Sequence, residues 1–232
     1  MTTALITGGS RGLGLAVARE LVARDWRVVI DGRDRRALAS AADAVGGDVV
    51  TIPGDVADAS HRAELVEAID RFGSLDLLVN NASALGPSPL PRLDRHPLGE
   101  FERVLRVNVV APLALIQLLL PKLTRDGTIV NVTSDAAVEA YEGWGGYGSS
   151  KAALDQITRV LAAEQKSIRV YGFDPGDMRT AMQQDAFPGE DISDRPKPET
   201  VVPALMRLIS GGAPSGRYRA ADLLDPAAEA VS

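Results

Sequence analysis

Along the chain, short runs of β-branched and aliphatic residues alternate with longer stretches whose apolar positions recur every three to four residues. Leu5–Thr7, Arg27–Ile30, Asp48–Ile52, Leu75–Val79, Gly127–Val132 and Ile168–Phe173 read as strands, with a weaker one at Gly216–Ala220. Helical periodicity covers residues 13–24, 35–44, 59–72, 98–124, 148–165 and 198–210. Several strand runs are apolar at successive positions, which suits parallel strands buried on both faces. Such alternation, with right-handed crossovers, predicts an α/β fold: an open, doubly wound parallel sheet of about seven strands flanked by helices on both faces. No internal repeat, charged tail or low-complexity linker interrupts the pattern. Residues 1–232 are therefore expected to form one domain, with the polar, Pro-rich stretch Phe187–Pro198 as a mobile loop inside it.

Composition narrows the chemistry. Lys plus Arg is 25 against 31 for Asp plus Glu, a formal charge of −6, so the basic footprint of a nucleic-acid binder is missing. The absence of cysteine excludes disulfides, thiolate nucleophiles and zinc–thiolate sites. His61 and His96 are the only histidines, too few for most imidazole metal sites, and no metal is expected. Met1-Thr2-Thr3 leads straight into the first strand, unlike a signal peptide. The longest apolar run, Val109–Leu120, is interrupted by Pro112 and Gln117 and falls short of the ~20 residues of a membrane span. A cytoplasmic protein without membrane partners is the expectation.

Glycine makes up 22 residues, and the informative cluster is Thr7-Gly8-Gly9-Ser10-Arg11-Gly12-Leu13-Gly14. It follows the first strand and opens the first helix. Glycines there let the backbone turn sharply and approach a pyrophosphate, whose charge rests on the helix N-terminus. An ordinary Gly-rich turn is the bland alternative. Gly8-Gly9-Ser10-Arg11-Gly12 also fits the G-x-S-x-G elbow of α/β-hydrolases, with Ser10 as nucleophile. That reading needs an acid and then a histidine later in the chain, yet both histidines precede residue 97. His61, after the helix-start signal Asp58-Ala59-Ser60, is expected on an exposed turn.

The second strand ends Ile30-Asp31-Gly32-Arg33-Asp34. Asp31 lies 23 residues after Gly8, about where a carboxylate binds the adenosine ribose of NAD. Arg33 and Arg11 could instead hold a 2′-phosphate, which guanidinium groups match well.

Four motifs then occur in order: Thr7-Gly8-x3-Gly12-x-Gly14, Asn80-Asn81-Ala82, Tyr147-x3-Lys151 and Pro175-Gly176. Together they resemble the short-chain dehydrogenase/reductase family, in its compact one-domain, Rossmann-like branch, over nearly the whole chain. Tyr147 and Lys151 share a helix face. A nearby ammonium is expected to lower the phenol's pKa from its usual ~10, so Tyr147 can exchange a proton with a substrate oxygen. Hydride then passes to or from nicotinamide. Ser134, after the fifth strand, can donate to the substrate oxygen or merely cap the next segment. Asn108 lies four residues before Pro112, which has no N–H to give to the Asn108 carbonyl. A helix distortion is expected there, its freed carbonyl seeking a water.

What the resemblance implies goes further. Asn108, Ser134, Tyr147 and Lys151 become the catalytic set, with Lys151 also holding the nicotinamide ribose and Asn108 placing a water in a proton relay. Cofactor contacts are implied for Gly8, Ser10, Arg11, Gly12, Leu13, Gly14, Arg33, Asp55, Val56, Asn81, Ala82, Ser83, Tyr147, Lys151, Pro175, Gly176 and Thr180. The chain departs from the family's usual Asn-Asn-Ala-Gly at Ser83, and from Asn-Pro-Gly at Asp174. Family alignment puts the acidic residue of NAD-preferring members at Gly32, which favours NADP(H) and leaves NAD(H) open, with Asp31 arguing for NAD. The expected partner is a small-molecule carbonyl or alcohol, in a pocket lined by Ala136, Val138, Tyr141, Trp144 and the loop after Gly176. A homodimer or homotetramer through the long helices is also implied. A silent dinucleotide-binding sensor or scaffold and the Ser10 hydrolase are the alternative classes.

Overall fold

A computed structural model describes residues 1–225; residues 226–232 of the expected domain lie outside the described residues. Strands β1 (Thr3–Ile6), β2 (Arg27–Gly32), β3 (Val49–Pro53), β4 (Leu75–Asn80), β5 (Leu123–Val132), β6 (Arg169–Asp174) and β7 (Gly216–Arg219) form one sheet in the order β3-β2-β1-β4-β5-β6-β7. Every neighbouring pair is parallel, with Ile6 opposite both Ile30 and Val79, Val79 opposite Val130, and Val130 opposite Tyr171. The order reverses between β1 and β4, and ligands of such sheets bind outside the carboxyl ends at that switch point.

The helices are α1 (Gly12–Val22), α2 (Arg35–Val45), α3 (Ala59–Phe72), α4 (Leu98–Leu105), α5 (Ala111–Leu119), α6 (Gly145–Glu164), α7 (Ala181–Ala186), α8 (Val202–Ile209) and α9 (Ala220–Leu224). Alternate strand residues feed two cores. Ala4, Ile6, Val28, Ile30, Tyr171 and Phe173 pack with Leu13, Val17 and Leu21 of α1 and with Leu205 and Leu208 of α8. Leu5, Val29, Leu78, Ile129 and Val170 pack with Leu65 and Ile69 of α3 and Leu115, Ile116 and Leu119 of α5. This doubly covered sheet explains the uninterrupted apolar runs.

Beyond shifts of a few residues at element ends, two features depart from the sequence reading. The fifth strand begins at Leu123 rather than Gly127 because Leu123 already pairs with Leu75, after which the register jumps to Thr128 opposite Leu77. The expected helix over 98–124 is not uniform. Between α4 and α5 the chain widens into a π-turn over Arg106–Val110, where the Ala111 amide reaches back five residues to the Arg106 carbonyl. Pro112, unable to donate to Asn108, sits just beyond it. The continuous helical stretch Leu98–Lys122 is long and apolar enough to cross a membrane, with a mean hydropathy of 1.8. In this fold its Val104, Asn108, Ala111, Leu115 and Leu119 are buried. Helices α7 and α9 carry too little periodicity, at six and five residues, to be seen in the pattern.

Candidate active site

The glycine-rich turn leaves β1 at its carboxyl end and enters α1. Gly8 takes a left-handed conformation (φ +68°) that disfavours any side chain. A Cβ at Gly14 would stand 2.5 Å from the Gly8 carbonyl oxygen and 2.6 Å from Asn81 Nδ2, so the turn is folded down on itself. Side chains from neighbouring strands strap it there. Asn81 Nδ2 donates to the Thr7 and Gly8 carbonyls at 2.9 and 3.2 Å. Thr7 Oγ1 accepts from the Asn81 and Ala82 amides at 3.0 Å each. Asn81 therefore shapes the turn with its side chain, rather than presenting that side chain to a ribose.

Asp31 is placed differently from the expectation of a ribose ligand. It is 1% exposed; Oδ1 accepts the Gly8 amide at 2.6 Å, and Oδ2 lies 3.0 Å from His61 Nε2. His61, expected on an exposed turn, is 4% exposed. It is the third residue of α3 and packs so closely on Gly54 that a Cβ there would meet Nδ1 at 2.1 Å. Burial raises the Asp31 pKa, and the hydrogen bonds from His61 and Gly8 oppose that rise. The pair is an internal prop for the turn. With its two ring nitrogens 3.0 Å from Asp31 and 4.0 Å from Glu64, His61 supplies no base to Ser10.

The ground around this prop fits a phosphate-bearing dinucleotide. Arg11 precedes α1 in an extended conformation without a side-chain cap on the first amides, and both Arg11 and Arg33 are exposed. Glycine at 32 lets the end of β2 approach Ser10 closely: a Cβ there would stand 3.1 Å from Ser10 Oγ and 3.3 Å from its Cβ. Asp34 is committed to capping α2, accepting the Arg36 and Ala37 amides at 2.9 and 3.1 Å. Beyond β3, Asp55 accepts the Ala57 amide at 2.9 Å, and Val56 is buried against Ala82 and Ala84. Gly12 faces Thr180 across the cleft, 3.6 Å from Cβ position to Cγ2. Thr180 also caps α7, accepting the Gln183 amide at 3.2 Å. Pro175 is buried and Gly176 exposed in the turn after β6.

On the other side of the switch point the structure brings Asn108, Ser134, Tyr147 and Lys151 together. Asn108, turned inward by the π-turn, is a clasp. Its Oδ1 accepts from Ser83 Oγ at 3.2 Å and from the Ala84 amide at 2.7 Å. Its Nδ2 donates to the Ala84 carbonyl and to Ser150 Oγ, both at 2.9 Å. The helix distortion is thus present, and the side chain is saturated by protein. Ser150 Oγ in turn donates to the Tyr147 carbonyl at 2.6 Å. Of the two roles expected of Ser134, the structure shows the cap: its hydroxyl accepts the Ala136 amide at 3.2 Å at the short 3-10 turn that follows and donates to Asp135 Oδ1 at 2.9 Å. With Ser83 it also lies within hydrogen-bonding reach of the Tyr147 hydroxyl.

Lys151 Nζ lies 5.4 Å from the centre of the Tyr147 ring and donates to the Val132 carbonyl at 2.8 Å. Burial pushes the Lys151 pKa down to about 8, and Asp155 partly opposes the fall. The expectation that an ammonium would lower the Tyr147 pKa is not met. Burial pushes it up, and hydrogen bonding with Ser83 and Ser134 only partly counters the rise. Desolvation of a phenolate outweighs a cation that points at a carbonyl.

The wall above Tyr147 is apolar. Leu85, Leu90, Ala136, Trp144, Met182, Ala186 and Phe187 cluster with it, and the Trp144 ring stands 5.8 Å from Tyr147 and 6.0 Å from Phe187. Ala136, Val138, Tyr141 and Trp144, expected in the substrate pocket, together line an open groove of about 750 Å³ with Gly148, Ser149 and Ala152; Val138 and Tyr141 stand at its exposed side, at 59% and 46% exposure. Sequence reasoning missed the positioning roles of Thr7, Ser150 and Arg217, whose side chains hold groups that face the cleft.

A Gly-rich turn on the first strand, a Tyr-x3-Lys pair on the helix after the fifth, and this strand order define the short-chain dehydrogenase family. The family's sequence model matches residues 2–191, and the chain belongs to it, as an oxidoreductase. The (S)-benzoin-forming benzil reductase IRC24 of Saccharomyces cerevisiae is 34% identical over 233 residues, covering 96% of this chain and 84% of that protein. A short-chain dehydrogenase structure from Pseudomonas syringae superposes with a TM-score of 0.89 at 32% identity, covering 94% of each chain. One from Shigella flexneri 2a, complexed with NADP, superposes with a TM-score of 0.88 at 27% identity, covering 95% of this chain and 97% of that one.

Proposed function

We propose that this protein is an NADP(H)-dependent oxidoreductase that interconverts a carbonyl and a secondary alcohol, with Tyr147 as general acid and base. The observation that carries the reading is the Tyr147 hydroxyl, partnered by Ser83 and Ser134 and backed by Lys151, beneath an apolar wall. The dinucleotide supplies the hydride when bound. Gly8, Ser10, Gly12, Leu13, Gly14 and the α1 amides would hold its pyrophosphate, with Arg11 and Arg33 at a 2′-phosphate. Asp55 and Val56 would meet the adenine. Ala82, Ser83, Pro175, Gly176 and Thr180 would border the nicotinamide side, and Lys151 its ribose.

The remaining steps belong to the chain. Ser134 donates to the substrate oxygen and fixes its distance from Tyr147. Tyr147, kept neutral by its buried surroundings, gives its proton to the alkoxide as that charge develops. Lys151, poised near neutrality, replenishes the proton from the side of Asn108, whose own main-chain carbonyl is free of Pro112. The cluster of Leu85, Trp144, Met182 and Phe187 excludes water and favours an apolar carbonyl.

NADP over NAD is supported by two features. Asp31 is consumed by Gly8 and His61, which removes the carboxylate that argued for NAD, and structural neighbours carry NADP or NADPH. A cytoplasmic homo-oligomer, without membrane or nucleic-acid partners, is part of the proposal. Val110, Leu118 and Val160, exposed apolar residues of the π-turn, α5 and α6, support the assembly. Fluorescence titration with NADPH and NADH, followed by a panel of apolar ketones, tests the reading. Binding of neither dinucleotide would overturn it, as would turnover that survives Tyr147→Phe undiminished.

A further inference from the structure

The chain carries Asp174 where its family usually has asparagine, and the cause lies across the sheet. Arg217, on the edge strand β7, points over β6 toward α6. Its Nη2 donates to Asp174 Oδ2 at 2.8 Å and to the Ser134 carbonyl at 3.0 Å, while Nε donates to Asp155 Oδ2 at 3.0 Å. Both carboxylates are buried. Gly172, opposite Arg217 in the β6–β7 register, has no side chain to block the route; a Cβ there would stand 3.7 Å from Arg217 Cγ and 3.4 Å from Asp155 Oδ1. Asp174 uses its other oxygen, Oδ1, to accept the Gly176 amide at 3.0 Å. An asparagine at 174 could satisfy Gly176 but would turn an NH₂ toward the guanidinium.

We propose that Arg217 is a positioning residue for catalysis, one guanidinium that fixes the Ser134 backbone, the turn at Gly176 and the α6 helix at Asp155, and that cancels the two acids nearest the Tyr147–Lys151 pair. The inference rests on the oxidoreductase reading for what it positions. The Ser134 backbone, the turn at Gly176 and α6 are tied by one planar, multi-donor group, a geometry lysine cannot reproduce. Electrostatics agree with the placement. The Asp155 carboxylate acts on Lys151 from one helical turn away and raises its pKa against burial. The Asp174 carboxylate raises that of Tyr147, with Asp135 adding in the same direction from the 3-10 turn. Arg159 reaches only the main-chain carbonyl of Asp155, at 3.4 Å, which leaves Arg217 as the side-chain cation on both acids.

The test reads Lys151 without turnover. The chain has four lysines, Lys122, Lys151, Lys166 and Lys197, so ¹³C-lysine NMR resolves them, with Lys151→Arg giving the assignment. Arg217→Met leaves Asp155 and Asp174 uncancelled, and the Lys151 midpoint should rise above its starting value of about 8. Arg217→Lys, which keeps the charge, should leave the midpoint in place. On a carbonyl that the protein reduces, both variants should lower kcat about tenfold through loss of the fork on Ser134, with KM within about twofold. Should Arg217→Met not fold, Arg217→Met/Asp174→Asn removes one acid with its cation, and the Lys151 midpoint should again rise. An unmoved midpoint in the folded Met variants, or a KM change with kcat intact, overturns the proposal. A protein that binds no dinucleotide sinks the oxidoreductase reading instead, and the NMR midpoints still report on Arg217.

Discussion

Around the Gly8–Gly14 turn, side chains serve the backbone. Asp31, His61, Thr7 and Asn81 give their polar atoms to one another or to main-chain groups of the turn, leaving amides and glycine surfaces for a ligand. Around Tyr147 the relation is inverted. There the backbone serves side chains: the Val132 carbonyl anchors Lys151, the Tyr147 carbonyl anchors Ser150, and the Ser134 carbonyl receives Arg217. The first region is shape and fixed dipole. The second is titratable chemistry in a desolvated wall. Substitutions in the first should change dinucleotide affinity, and substitutions in the second should change turnover.

The largest effect expected is Tyr147→Phe. Removal of the acid–base hydroxyl should cost about 10³ in kcat/KM while NADPH affinity stays within about threefold, measured by stopped-flow reduction and fluorescence titration. Equal losses in both quantities would erase the division between the regions.

Next comes the pH dependence of stability. Lys151 has its pKa pushed down by burial from 10.5 to about 8. Below about pH 8 the ammonium is present in folded and unfolded chains alike, and its burial opposes folding. Between that value and 10.5 the unfolded chain holds more protons, so stability rises with pH. Relative to Lys151→Met, the wild type should gain about 3 kcal/mol across this window, read from urea midpoints. Parallel curves for the two proteins would show that Lys151 is not desolvated. In the glycine region, Gly14→Ala should weaken NADPH binding about thirtyfold by overpacking, because the added carbon meets a carbonyl at 2.5 Å. Saturated turnover should be nearly preserved.

The sequence pattern shows the strands because burial on both sheet faces writes apolar runs, and it shows Asn108 because Pro112 lacks a specific hydrogen atom. Tyr147 and Lys151 are legible as a pair for the same local reason, a shared helix face. What stayed hidden is tertiary. His61 follows a polar helix start, yet it is buried because Asp31 accepts it across 30 positions of sequence. Arg217 lies in a run that reads only as a weak strand, and the one trace of its role in the sequence is Asp174, which departs from its motif. Tyr147's pKa went the other way from the spacing argument because spacing reports proximity of charge and says nothing of desolvation.

The smallest effect bears on cofactor choice, where the two regions meet. Arg33→Ala should weaken NADPH about tenfold, the worth of one charge-assisted hydrogen bond, and leave NADH unchanged. The sign depends on Asp31. Were that carboxylate open to solvent, it would bind the NAD ribose and repel a 2′-phosphate, so removing Arg33 would turn the protein toward NAD. Asp31 instead holds the Gly8 amide at 2.6 Å and faces His61, out of reach of either ligand. Arg33→Ala should therefore reduce discrimination, with Arg11 still in place, without creating an NAD preference. A gain in NADH affinity would mean that Asp31 leaves its internal partners when the cofactor arrives, and that the glycine turn is less fixed than the catalytic wall beside it.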